Sequence, residues 1–194
     1  MSSLTTRSPV RTVDGVEIPA AGTWAIDPSH THAGFTVRHL MVSKVRGRFA
    51  GVSGTVTIAE EPLDSHVEVE IDLASIDTRD NQRDAHLRSP DFFDVENYPT
   101  MSYRSTAVRP AGKGRWLVEG ELSLHGVTRS VPLEVSFEGA GADPWGGVRA
   151  GFSARAEIDR EDFGLTWNQV LETGGIAVGK KVAIDIEVES VLQS

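Results

Sequence analysis

The sequence predicts an all-β domain of about eight strands, a sandwich or a barrel, and three observations carry that prediction. Apolar and charged residues alternate at period two along much of the chain, as a strand with one dry and one wet face requires. Segments with this alternation recur at the intervals expected of a sandwich or barrel. The 194 residues suffice for one domain with a sizeable core, and no linker, internal repeat or low-complexity tract divides them.

Residues 1–21 are rich in Ser, Thr, Pro and Gly with little periodicity and read as a flexible N-terminal tail, leaving 22–194 as the domain. A first strand is expected through Phe35 and Val37, and a second over residues 52–58. In the third, Val67, Val69, Ile71 and Leu73 alternate with Glu68, Glu70 and Asp72. Thr78 is placed to cap a short helix near residues 79–88, which Pro90 ends; such a helix would close one mouth of a barrel. Strands follow at 101–105, at Trp116, Val118, Leu122 and Leu124, and at Val131, Leu133, Val135 and Phe137, the last two pairing across 125–129. The final two run over 152–158 and through Val182, Ile184, Ile186 and Val188.

Composition removes several functional classes. With 19 basic against 28 acidic residues the net charge is −9, and no run of Lys and Arg is long enough to track phosphates, so nucleic acid is not an expected partner. The same excess repels an anionic bilayer except through apolar contact or a local patch, for which Lys44, Arg46 and Arg48 are candidates unless they are simply the wet face of a strand. There is no Cys, hence no disulfide, thiolate nucleophile or Cys metal site. Residues 1–20 hold no apolar stretch that could serve as a signal or span, so a cytoplasmic location and no stable membrane insertion are expected.

The chemistry-bearing motifs are mostly missing. The sequence has no Gly-x-Ser-x-Gly elbow, His-Glu-x-x-His helix, Walker loop or Gly-x-Gly-x-x-Gly turn. His30, His32 and His39 could chelate zinc, but on one regular strand His39 shares a face with Phe35 and Val37 while His30 and His32 lie opposite; a bulge at Gly34 would reverse this. No carboxylate partner is evident for them. Asp91, Asp94 and Glu96 read as loop solvation near a helix end, and His125 as a turn residue bonded to its local backbone. The adjacent Phe92 and Phe93 need cover that a lid over a barrel mouth would supply, or they plug the core end. No catalytic residue, metal or cofactor is expected.

Four blocks of residues resemble the YceI-like family. Trp24, Ile26, Asp27, Pro28, His30, Phe35, Val37, His39 and Leu40 are similar to its opening. Arg83, Asp84, His86, Leu87, Asp91, Phe92, Phe93, Asp94, Tyr98 and Pro99 are similar to its central helix and loop. Leu122, Leu124, His125, Gly126, Val127 and Thr128 resemble its hairpin, and Asp159, Arg160, Asp162, Phe163 and Gly164 its later turn. The blocks stand in the family's order and cover the domain. The resemblance implies an extended, antiparallel, eight-stranded lipocalin-like barrel that holds a polyisoprenoid or another long-chain amphiphile, such as an isoprenoid quinone, as carrier or store. Thr31 stands where Ser is usual, and the resemblance implies a signal peptide in many relatives where residues 1–20 are not expected to serve as one.

On that reading the ligand-contacting candidates are Phe35, Val37, His39, Phe49, Val69, Ile71, Phe92, Phe93, Met101, Trp116, Leu122, Leu133, Val135 and Ile184. Burying a lipid tail contributes on the order of 25 cal/mol per Å² of apolar area, so few polar contacts are needed. Two competing readings stay open. One is an enzyme of isoprenoid or quinone metabolism with His30, His39 or Asp94 as acid-base groups. The other is a stress or scaffold protein with a filled barrel. A homodimer is expected by fold-level analogy.

Overall fold

The computed structural model describes residues 8–172 and 174–193. The chain enters as a hairpin of β1 (Val10–Val13) and β2 (Val16–Pro19), turning at Asp14 and Gly15, which take φ of 50° and 78°. This corrects the expectation of a flexible tail up to residue 21: Ile18, Ala20 and Ala21 are buried, and Arg11 donates to the carbonyls of Ala59 and Glu60. Residues 1–7 of that expected tail lie outside the described residues.

The main body is a closed antiparallel barrel of eight ribs that neighbour one another in chain order. The first rib is β3 (Gly22–Ile26) and β4 (His32–His39), joined through a 3₁₀ turn at Pro28–His30. The second is β5 (Ser43–Phe49) and β6 (Val52–Ile58), and the third is β7 (His66–Asp72) with the short β8 (Ile76–Asp77). Then come β9 (Thr100–Pro110), β10 (Arg115–Leu124), a rib made of β11 (Val127–Ser130) and β12 (Leu133–Ala142), β13 (Val148–Asp159) and β14 (Val178–Leu192). Closure comes from β14, which pairs with β13 on one edge and with β3 and β4 on the other. A closed sheet leaves no long unpaired edge and gives every rib one dry side.

Pairing differs from expectation at one hairpin. β10 turns into β11 across His125 and Gly126 alone, with Leu124 opposite Val127; β12, after the break at Pro132, pairs with the other half of β10. Proline has no N–H to give the ladder, so the rib is interrupted there. Inside, two aromatic rings lie where glycine leaves room: a Cβ on Gly47 would meet the Phe35 ring at 2.4 Å, and one on Gly120 would meet Tyr103 at the same distance.

The helix is α1 (Asn81–Arg88), but its cap is Asp80, whose side chain accepts from Arg83 N at 3.0 Å. Thr78, expected in that role, is buried instead, donating from N (2.9 Å) and from its hydroxyl (2.5 Å) to Asp84 Oδ1 while accepting from Arg83 Nε. Buried side chains gather in three clusters, of which one, Ile26, Ala33 and Val52, lies along the wall and two plug the ends. Phe49, Leu73, Ile76, Leu124, Phe163 and Leu165 fill the end under α1; Ala20, Trp24 and Ala150 fill the opposite end, near the β1–β2 hairpin.

Candidate ligand cavity

Between the two plugs the barrel is open. A cavity of about 310 Å³ runs inside it, with a lining that is almost wholly apolar. That size falls at the lower end of the roughly 300–1,000 Å³ typical of small-molecule sites. The wall follows from parity: along β7, Val67, Val69 and Ile71 face in while Glu68, Glu70 and Asp72 are exposed, and the same alternation holds for Val182, Ile184, Ile186 and Val188 of β14. These inward residues are only half-buried, because they border empty space rather than packed neighbours.

Thirteen of the fourteen candidate positions border this cavity: Phe35, Val37, Phe49, Val69, Ile71, Phe92, Phe93, Met101, Trp116, Leu122, Leu133, Val135 and Ile184. His39 does not. It is the last residue of β4, opposite Ser43 and Val178, at the margin where Val178 still borders the cavity and His39 does not. Strand periodicity assigns a face but not the depth at which a cavity stops.

At both ends, elements outside the barrel wall contribute to the lining. At one end Leu87 of α1, Phe92 and Phe93 reach the cavity; Phe92 packs edge-on against His86 and tilted against Trp167, and Phe93 edge-on against Phe49. The adjacent phenylalanines thus have separate neighbours, and both face inward. At the other end Ile18 and Pro19 of β2 join the lining. Sequence reasoning missed this contribution, although Asp14-Gly15 between Val13 and Val16 is a hairpin signal.

Three of the polar residues that border the cavity, Tyr103, Arg160 and Ser65, are already engaged. The Tyr103 hydroxyl lies 3.2 Å from the Val118 carbonyl and 3.0 Å from that of Val131, and burial pushes the phenol above its ordinary pKa. Arg160, buried at the helix end, donates to the carbonyls of Leu165, Gly179 and Val178; desolvation lowers its pKa. Ser65 Oγ accepts from Ala59 N at the far rim.

His66, at the start of β7, borders this space, whereas His30, His32, His39 and His125 do not. β4 is regular through Gly34, with Ala33, Phe35 and Val37 inward and His32 exposed, so no bulge reverses its parity. His30 belongs to the 3₁₀ turn and, contrary to the sequence reading, has carboxylate partners: Asp27 at 2.9 Å and Glu189 at 4.0 Å. The Arg149 guanidinium occupies the centre of that cluster, 2.7 Å from Asp27 and 2.5 Å from Glu189, with Asp143 at 3.0 Å. Arg149, followed by His30, holds the Asp27 carboxyl well below the usual range. The group is an arginine-centred ion network on the barrel's outside. His125 Nδ1 contacts the Phe163 carbonyl at 3.2 Å, tying its turn to the 3₁₀ turn Arg160–Phe163 rather than to its own backbone. Asp91 pairs with His86 at 2.7 Å, and Asp94 accepts from Asn97.

The model of the YceI-like domain matches residues 24–190. The chain belongs to the YceI-like family. A UPF0312 protein of Vibrio parahaemolyticus is 41% identical over 148 residues, covering 75% of this chain and 78% of that protein. Among solved structures, BcnA of Burkholderia cenocepacia superposes with a TM-score of 0.74 at 22% identity, over 84% of this chain and 98% of that one. A domain from Saccharophagus degradans, described as polyisoprenoid-binding and implicated in plant cell wall breakdown, gives a TM-score of 0.64 at 17% identity, over 90% and 100%. Both share the fold with this YceI-like chain. The β1–β2 hairpin precedes the segment that matches the family, so the family pattern does not account for the cover at that end.

Proposed function

We propose that this YceI-like protein binds a long-chain apolar lipid of the polyisoprenoid type within the barrel and acts as its carrier or store, without converting it. The observation that carries the reading is the continuous apolar cavity, walled by half-buried side chains from all eight ribs and covered at both ends. At about 25 cal/mol per Å², every 55 Å² or so of buried tail is worth about a factor of ten in affinity, so length of contact alone supplies binding. Family membership and the description of the Saccharophagus domain support the same class of ligand. Binding rather than turnover is supported by the engagement of Tyr103 and Arg160 with wall carbonyls and by the place of His30, His32 and His39 off the lining.

Native mass spectrometry of the purified protein, before and after organic extraction, tests this. An adduct that extraction removes, identified as a long-chain isoprenoid or related amphiphile, is the expected result. Protein that is never lipidated, and takes up no long-chain prenol from detergent solution, would overturn it.

A further inference from the structure

The β4–β5 turn departs from the chemistry that the other tight turns follow. Positive φ at both central residues of a hairpin favours Asn-Gly or Asp-Gly, and this chain uses Asp14-Gly15 and His125-Gly126 elsewhere. At the β4–β5 tip the same conformation, φ of 51° and 63°, falls on Leu40 and Met41. For such side chains the left-handed region is disfavoured. Burial does not compensate, since Leu40 is 39% exposed, Met41 59% and Val42 85%. Three consecutive apolar residues thus stand in water on a strained backbone, and strain of this kind is a pointer to function.

Charge around the tip is segregated. From Asp27 to Glu60 the sequence has no acidic residue, although the chain as a whole carries −9. Arg38, Lys44, Arg46 and Arg48 are all exposed, and register sets Arg38 beside Lys44, so they share the outer face of β4 and β5. Arg48 pairs with Asp77 at 3.3 Å, whereas Arg38, Lys44 and Arg46 have no acidic partner among the described residues. The tip also stands at the helix-covered end of the cavity: Leu40 N donates to Ala177 O at 2.8 Å, and Val37 and Val178, just behind it, line the cavity.

We propose that the Leu40–Val42 tip and the Arg38, Lys44 and Arg46 face form a peripheral docking surface for an anionic lipid bilayer. The apolar tip enters the headgroup layer and the three cations rest against headgroup phosphates. Orientation follows from charge, because the acidic remainder of the surface is repelled and only this face approaches, which turns the helix-covered end of the barrel toward the membrane. The inference goes beyond lipid binding in the cavity and does not require the cavity to be occupied.

The test is co-sedimentation of the full chain, both as purified and after organic extraction, with vesicles of phosphatidylcholine alone or of equal parts phosphatidylcholine and phosphatidylglycerol. Both preparations are expected to bind the mixed vesicles, less strongly in high salt, and to leave the neutral ones. Leu40→Asn with Met41→Gly restores a favoured turn sequence, so this double variant should melt no lower than the parent while losing the vesicles. Arg38→Gln, Lys44→Gln and Arg46→Gln together should weaken binding about a hundredfold, at about fivefold per cation. No binding to mixed vesicles, or binding that both variants leave intact, overturns the proposal. So does a dimer in sedimentation velocity that the tip variant dissolves while the parent ignores vesicles, which would assign the tip to a second copy of the chain.

Discussion

Replacing Val69 by Trp separates an open barrel from a filled one. Val69 sits mid-wall on β7, opposite Gly54 on one side and Tyr103 on the other, and its side chain borders the cavity. In a packed core the added bulk would cost about 1–3 kcal/mol. For a chain of this size that lowers the melting temperature by roughly 2–12 °C. Above an opening of about 310 Å³ the ring has somewhere to go, and the melting temperature should stay within a degree or two. The ligand, however, loses contact. An indole presents about 150–250 Å². If it displaces roughly 100 Å² of lipid contact, the loss is ~2.5 kcal/mol, about seventyfold in Kd. Titration with diphenylhexatriene, a rod-like apolar fluorophore, alongside a thermal melt reads both quantities, and Val135→Trp on β12 repeats the experiment on another rib. A melting temperature several degrees lower at both positions, with probe affinity unchanged, would refute the reasoning and make the barrel solid.

Asp84→Ala leaves the buried Thr78 N–H and hydroxyl without their acceptor, which should cost about 1–3 kcal/mol and show as a thermal shift with probe affinity retained. Arg160→Met strands the carbonyls of Leu165, Gly179 and Val178 and should cost at least about 3 kcal/mol in a denaturant melt; a shift under 1 kcal/mol would mean those contacts are dispensable. Because Arg149 and His30 hold Asp27 ionised below its ordinary range, the unfolded chain takes up this proton first as pH falls. The stability Asp27 contributes is therefore complete above about pH 4 and is lost in more acid solution, so Asp27→Asn should flatten the acid limb of melting temperature against pH. A chain starting at Gly22 lacks Ile18 and Pro19 from the cavity end and should release diphenylhexatriene faster in stopped flow while the barrel's far-ultraviolet spectrum persists.

The barrel was legible because its ribs are amphipathic at period two, and a closed sheet translates that period directly into inside and outside. Val69 and Ile71 against Glu68 and Glu70 could be placed without coordinates. What local pattern could not give is extent and cover. His39 keeps the right parity yet does not border the cavity, and Thr78 looked like a cap because its partner, Asp84, is chosen by burial rather than by spacing. Of the carboxylates around His30, Asp27 stands only three residues away and was overlooked, whereas Glu189 of β14 and Arg149 of β13, which binds both carboxylates, lie outside any window around His30. The β1–β2 hairpin was hidden by the composition of its surroundings, while its Asp14-Gly15 turn was in plain view.

The manner in which the barrel closes bears on how it is made. β14 is the strand that joins the two ends of the sheet, with Ser190 opposite Ile26 and Ile184 opposite Phe35, so the ring depends on residues that are synthesised after every other rib. Until then the closing edge of the sheet has no partner, and such long-range pairing is slow compared with local hairpins. The enclosed space therefore comes into being only when β14 docks, and the apolar wall residues of the earlier ribs are all synthesised before it.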